Sequence, residues 1–182
     1  MTVVAVLAAF AAWAGASVIV LADGRRGLAI GIALIAGGFA TLAWTAGDWF
    51  GGAALLAGGA ICAVQLLRVG PQDWGLMPAG STARLIQATV GGILALWVAA
   101  SVSTGHGAPL RFASVAVLGL MAARVLQGQK ATAVLTAAGG LALALGGASA
   151  IGPIASGFAP YLLAGVIAAG ATWLPSAESR AA

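Results

Sequence analysis

Apolar residues form long runs along this chain, and short groups of polar and glycine residues separate them. Charged residues are absent from 27–47, 49–67, 85–110 and 131–177. A membrane-spanning helix needs about 20 mostly apolar residues, and the groups between the runs are rich in turn-forming residues. The pattern predicts seven spans, which we place at residues 2–22, 27–46, 51–68, 82–103, 109–127, 131–150 and 154–174.

The composition agrees with this pattern, because 62% of the residues are hydrophobic and only 7% are charged. A water-soluble domain could not cover its surface with so few polar residues. The first apolar run has no basic residue ahead of it, so we expect a retained helix there and not a secretory signal. We therefore expect an all-α, polytopic helical bundle in which residues 1–175 form one transmembrane domain and 176–182 a short cytoplasmic tail.

Basic residues fall on alternate connections between the predicted spans. Basic residues in short loops mark the cytoplasmic face of a membrane protein, and only Arg111 lies on a connection of the other set. The N-terminus is therefore expected outside and the C-terminus in the cytoplasm. The basic residues predicted at the cytoplasmic face are Arg25, Arg26, Arg68, Arg84, Arg124 and Lys130, with Arg180 in the tail.

The fifth predicted span is the least certain, because Arg111 and Arg124 are only 13 residues apart. That separation is about 20 Å of helix, against a hydrocarbon core of about 30 Å. We expect Arg124 to extend its side chain to the membrane surface, as long basic side chains near helix ends commonly do. If the segment instead enters and returns, six spans remain.

Paired glycines recur at a spacing of seven residues in two of the predicted spans, which returns each pair to the same helical face. Small residues let helices approach closely in lipid. We interpret the pairs as helix-packing residues; docking onto neighbouring subunits or lining a narrow passage is the alternative. The pairs are Gly51 and Gly52, Gly58 and Gly59, Gly139 and Gly140, and Gly146 and Gly147.

The sequence can be aligned with itself as either of two internal repeats, and the two cannot both be present. Aligning Gly24 with Gly128 and Arg26 with Lys130 makes helices 1–3 and 5–7 parallel repeats. The glycine pairs of helices 3 and 6 would instead favour an inverted repeat. Because the chain uses few residue types, we treat both matches as chance.

Residues able to carry chemistry are scarce. The only histidine, His106, is predicted in a loop, and the only cysteine, Cys62, lies in an apolar run, so haem and metal ligation are not expected. No acidic residue falls within a predicted span. We therefore expect neither a cofactor nor an enzyme. The net charge of +4 is explained by membrane orientation and anionic lipids, without a nucleic-acid partner.

The third connection is the most polar, and its sequence RVGPQDWGLMP is unlike the others. Its residues Pro71, Asp73, Trp74 and Pro78 are a candidate docking loop for a partner. A rigid turn with Trp74 anchored at the membrane interface is the simpler interpretation. Tyr161, the only tyrosine, is likewise expected as an anchor in the outer leaflet.

The function that these features favour is that of a non-catalytic accessory or scaffold subunit of a larger membrane complex, because the loops are short and no charge is expected inside the bundle. The expected partners are membrane lipids and other integral subunits or further copies of the chain, in a membrane of the bacterial inner (plasma) type. The alternative is a small transporter or channel for uncharged solutes or lipids. Its passage would use Thr41, Thr45, Thr89, Thr132, Thr136, Gln65 and Gln87.

Overall fold

The computed structural model describes residues 3–69, 73–75, 82–102, 107–128, 130–149 and 157–173. Within these ranges the protein is all-helical, as predicted. Six helices begin and end within two residues of their predicted bounds, and the seventh begins five residues later than predicted. The helices are α1 (Val3–Leu21), α2 (Arg25–Thr45), α3 (Trp49–Arg68), α4 (Thr82–Val102), α5 (Ala108–Gln127), α6 (Ala131–Ala148) and α7 (Ala159–Ala171).

Five of the described helices, α1, α2, α3, α5 and α6, are long and apolar enough to cross a membrane. The apolar part of α4 is shorter, Ala88–Val98, and α7 has 13 residues. The fold is a helical bundle of roughly seven spans, which fits a protein embedded in a membrane. The fifth segment is one continuous helix of 20 residues, and it does not turn back.

Local sequence explains where several helices begin. The Asp48 side chain accepts a hydrogen bond of 2.7 Å from the Gly51 N–H and so caps α3. Gly47 precedes it with a φ of 90°, a left-handed conformation that glycine adopts readily. Pro109 and Pro160 lie in the first turns of α5 and α7, where a missing N–H costs nothing.

The helices form two rows of three. In the first row α2 packs between α1 and α3, and in the second α6 packs between α5 and α7. The rows face each other so that α1 lies against α5, α2 against α6 and α3 against α7. The remaining helix, α4, packs on the flank against α5 and, to a smaller extent, α1.

Facing helices run in the same direction. A Cβ built on Gly140 lies 3.5 Å from Ile35, whereas one built on Gly147 lies against Phe39, so α2 and α6 are parallel. Contacts between the ends of α1 and α5, and of α3 and α7, give the same direction for those pairs. This is the helix order of the parallel repeat. The contacts do not match the inverted repeat, and our interpretation of the sequence matches as chance stays a prediction.

The core lies between the two central helices, α2 and α6. Phe39, Ile32 and Ile35 of α2 are fully buried together with Leu143 of α6 and Leu55 of α3. Large apolar side chains are exposed on the outside, as expected of a surface that faces lipid. Trp97 on α4 is 71% exposed, for example.

Candidate functional site

Basic residues collect at one end of the bundle, where α1, α3, α5 and α7 end and α2, α4 and α6 begin. Arg26, Arg68 and Lys130 are exposed at this end, and Arg25 is half-buried. The side chain of Arg84 lies outside the described residues. We call this the basic end; its assignment to the cytoplasm stays a prediction.

Arg124 is the exception among the basic residues, because its side chain is buried in the bundle. The residue is 3% exposed, and its Nη2 forms an ion pair with the Asp23 carboxylate. The same nitrogen donates a hydrogen bond of 3.0 Å to the carbonyl oxygen of Ala22. The expectation that Arg124 reaches the membrane surface was therefore wrong, and the bundle does contain a buried charge.

The partner of Arg124 explains this outcome. Asp23 lies in the turn between α1 and α2, so it is outside any span and yet beside the last turn of α5. A buried charge is tolerated when it is paired, and removing one partner of such a pair costs about 3–5 kcal/mol. A signal was present in the sequence: Arg124 follows Val117 and Leu120 at helical spacing, on the buried stripe of α5.

Residues 73–75 of the predicted docking loop are held against the turn between α1 and α2. The Asp23 N–H donates to the Gly75 carbonyl at 3.0 Å, and the Arg26 N–H donates to the Asp73 carbonyl at 3.2 Å. At Gly24 the two backbones nearly touch, since a Cβ there would lie 2.5 Å from the Asp73 oxygen. Trp74 remains 51% exposed on this fixed backbone. Pro71 and Pro78 lie outside the described residues.

Aromatic residues occupy the opposite end of the bundle. Trp44 and Trp49 stack with ring centroids 6.3 Å apart, and the Trp44 Nε1–H donates to the Trp49 carbonyl at 3.2 Å. Tyr161 is 4% exposed and interacts with the side chains of Asp48 and Ser149. It therefore joins the start of α7 to the start of α3, and our interpretation of it as a membrane anchor was wrong.

The paired glycines of α3 lie at contacts between helices or beside a helix turn. A Cβ on Gly58 would be 2.5 Å from the Cα of Gly165 on α7, and one on Gly59 would meet Ala36 of α2. A Cβ on Gly51 would meet the carboxylate of the capping Asp48, and one on Gly52 would meet the ring of Trp44.

The paired glycines of α6 face three different helices. Gly139 and Gly146 lie against Ala168 and Ala164 of α7. Gly140 lies against Met121 of α5, and Gly147 against Phe39 of α2. How much these contacts contribute to stability stays a prediction.

Several of the polar side chains suggested to line a passage form hydrogen bonds with nearby groups of the protein. Thr41, Thr45 and Thr136 each donate a hydrogen bond of 2.8 Å to a carbonyl in the preceding turn of their own helix. The Thr172 hydroxyl donates to the Gln65 side chain, which fastens the end of α7 to the end of α3. Thr89 is exposed and Thr132 half-buried, and the Gln87 side chain is outside the described residues.

Three buried side-chain polar atoms have no hydrogen-bond partner within the described ranges: Trp13 Nε1, Ser114 Oγ and Arg124 Nε. Trp13 belongs to α1, and the other two belong to α5. Orphaned buried polar atoms cost free energy and call for an explanation. All three therefore belong to α1 or α5.

Comparisons with known proteins add no relative. No protein-family model matches this chain, and no curated protein or solved structure is significantly similar to it. In the described part of the chain, no three His, Cys, Asp or Glu side chains form a group that could hold a metal ion. The candidate site is therefore the basic end, with its fixed segment 73–75 and the Asp23–Arg124 pair.

Proposed function

We propose that this protein is a non-catalytic accessory or scaffold subunit of a larger membrane complex, and that it binds its partner subunit through the basic end. The docking surface would be centred on Trp74, with Arg26 beside it. The membrane would be of the bacterial inner (plasma) type, with anionic lipid headgroups around the exposed basic residues.

The observation that carries this proposal is the fixed backbone of residues 73–75. Two hydrogen bonds and the contact at Gly24 hold this backbone, and Trp74 on it is half-exposed. The segment that carries Trp74 therefore loses little conformational freedom when a partner binds. Tryptophan and arginine are the residues that most often dominate binding energy in protein interfaces. A surface that is ordered before binding has a smaller entropy cost on association.

The interior favours this function over transport. Helices whose backbones touch at glycine, such as α3 and α7 at Gly58 and Gly165, leave no space for a solute between them. The hydroxyls of Thr41, Thr45 and Thr136 are bonded to their own helices, and so they are poor candidates for coordinating a passing solute.

Purification in mild detergent with a Trp74→Ala variant tests the proposal. We expect the wild-type chain to carry a partner subunit in stoichiometric amount, identified by mass spectrometry. Trp74→Ala should lose the partner, because it removes the central side chain of the surface. Trp49→Ala is the matched control, since Trp49 is 69% exposed at the opposite end of the bundle.

A wild-type chain that purifies alone as a monodisperse species, and that changes the permeability of liposomes, would contradict the proposal and favour the transporter. Loss of the partner from both tryptophan variants would contradict the position of the docking surface.

A further inference from the structure

We propose that Arg124 positions residues 73–75, which carry the docking surface, and that it acts through the peptide group between Ala22 and Asp23. The inference rests on the docking surface proposed above, and it names a residue of another helix that holds this surface in place. Arg124 is a positioning residue in this assignment, because its side chain is buried and a partner would not contact it.

The peptide group between Ala22 and Asp23 is hydrogen-bonded on both of its edges. Its carbonyl oxygen accepts a hydrogen bond of 3.0 Å from Arg124 Nη2, and its N–H donates one of 3.0 Å to the Gly75 carbonyl. A trans peptide group is planar, and its C=O and N–H point in opposite directions. Arg124 on one side therefore sets the direction in which the N–H points on the other side.

The bond from Arg124 to the Ala22 carbonyl is of a strong kind. Its donor is a charged guanidinium, and such hydrogen bonds are about twice as strong as those between neutral groups. Ala22 is fully buried, and hydrogen bonds that follow one another in a buried chain polarise each other. The bond from Arg124 thus makes the Asp23 N–H a better donor to Gly75, and without it the peptide group is free to rotate.

The start of α2 gives an independent reason for residues 73–75 to depend on this turn. Gly24, the N-cap of α2, supplies no side-chain hydrogen bond to the first turn of the helix. The Arg26 N–H donates instead to the Asp73 carbonyl at 3.2 Å. Carbonyl groups of the segment thus cap the positive end of α2. The segment can lie here only while the N–H groups of the turn point toward it, and Arg124 orients one of them.

Chymotrypsin cleavage after Trp74 tests the assignment, measured on the full chain overexpressed and purified without a partner. Arg124→Met keeps an unbranched side chain but has no donor for the Ala22 carbonyl. We expect cleavage about tenfold faster than in the wild type, a factor that corresponds to the loss of one hydrogen bond. Asp23→Asn is the matched control, because it also removes one charge of the ion pair but keeps both hydrogen bonds of the peptide group. Its rate should stay near the wild-type rate.

Two results would overturn the assignment. Cleavage that accelerates equally in Arg124→Met and Asp23→Asn would mean that the ion pair only stabilises the fold. A wild-type rate in Arg124→Met would mean that the segment does not depend on this residue. If Arg124→Met does not fold, the double variant Asp23→Asn/Arg124→Met, which retains neither charge, is compared with Asp23→Asn. The same tenfold difference is expected, and equal rates overturn the assignment.

Partner binding separates this inference from the proposed function. Arg124→Met should lose the partner in mild detergent, whereas Asp23→Asn should keep it. If Arg124→Met releases the segment and still retains the partner, the position of the docking surface is wrong and the role of Arg124 stands. If Trp74→Ala loses the partner while Arg124→Met keeps the wild-type cleavage rate, the docking surface stands and the role of Arg124 is overturned.

Discussion

At the scale of single residues, Gly24 determines whether residues 73–75 can lie on the turn between α1 and α2. Its φ is ordinary, at −88°, so the need for glycine here is one of space alone. The backbone atoms of residues 73–75 occupy the position that a Cβ would take. Backbone atoms cannot rotate away as a side chain can, so a larger residue has to displace the segment.

Replacing Gly24 with alanine should therefore release residues 73–75 and destabilise the protein by about 1–3 kcal/mol, the usual cost of overpacking. Chymotrypsin should then cleave after Trp74 faster than in the wild-type chain, as measured by mass spectrometry. The control is Gly37→Ala on α2, where a Cβ meets nothing within 4 Å. Equal cleavage rates in wild type and Gly24→Ala would show that the contact does not hold the segment.

The ion pair shows what the sequence can and cannot reveal about a residue. Helical spacing places Arg124 on the buried stripe of α5, and this much could have been predicted. Its partner lies 101 residues away in the chain, and no local pattern connects the two. Only the packing of α5 against the turn after α1 brings them together.

At the scale of helices, the long apolar runs were sufficient to predict all seven elements, because hydropathy depends on the segment alone. Which helices pack against each other was not predicted in this way. The glycine pairs indicated close approach but not to which helix, and those of α6 alone face α2, α5 and α7. Contacts of this kind depend on the whole arrangement.

The contact between α3 and α7 gives a prediction at this scale. Gly58→Ala would put a methyl group onto the Gly165 backbone, and neither backbone can yield without separating the helices. We expect a loss of stability of about 1–3 kcal/mol, measured by SDS titration of the folded protein. Gly170→Ala is the control on α7, the other helix of this contact. It adds a methyl group with nothing within 4 Å and should leave stability unchanged or slightly raised. Equal midpoints for the two variants would contradict close packing at Gly58.

At the scale of the whole molecule, the basic end and the aromatic end define how the bundle would sit in a bilayer. Helix α3 runs from Trp49 at one end to Arg68 at the other over 20 residues, or about 30 Å. That length matches the hydrocarbon core, with an aromatic residue at one boundary and a basic residue at the other.

Single cysteines at exposed positions test this orientation. Arg26→Cys and Lys130→Cys should be protected from an impermeant maleimide in intact cells and react after permeabilisation, because both lie at the basic end. Ala46→Cys, exposed at the aromatic end, should react without permeabilisation. Labelling of positions 26 and 130 from opposite sides would contradict the arrangement.

The two rows of helices share both order and direction, so a shift, and not a twofold rotation, relates the order of the second row to that of the first. A twofold rotation would give a molecule with two equivalent broad faces. A shift does not bring the same surface of both rows together, as a twofold rotation does. The surface of the first row that contacts the second row therefore corresponds to a surface of the second row that faces outward. The broad sides of this protein are therefore chemically distinct, and an assembly that joins one broad side to the other has a head and a tail.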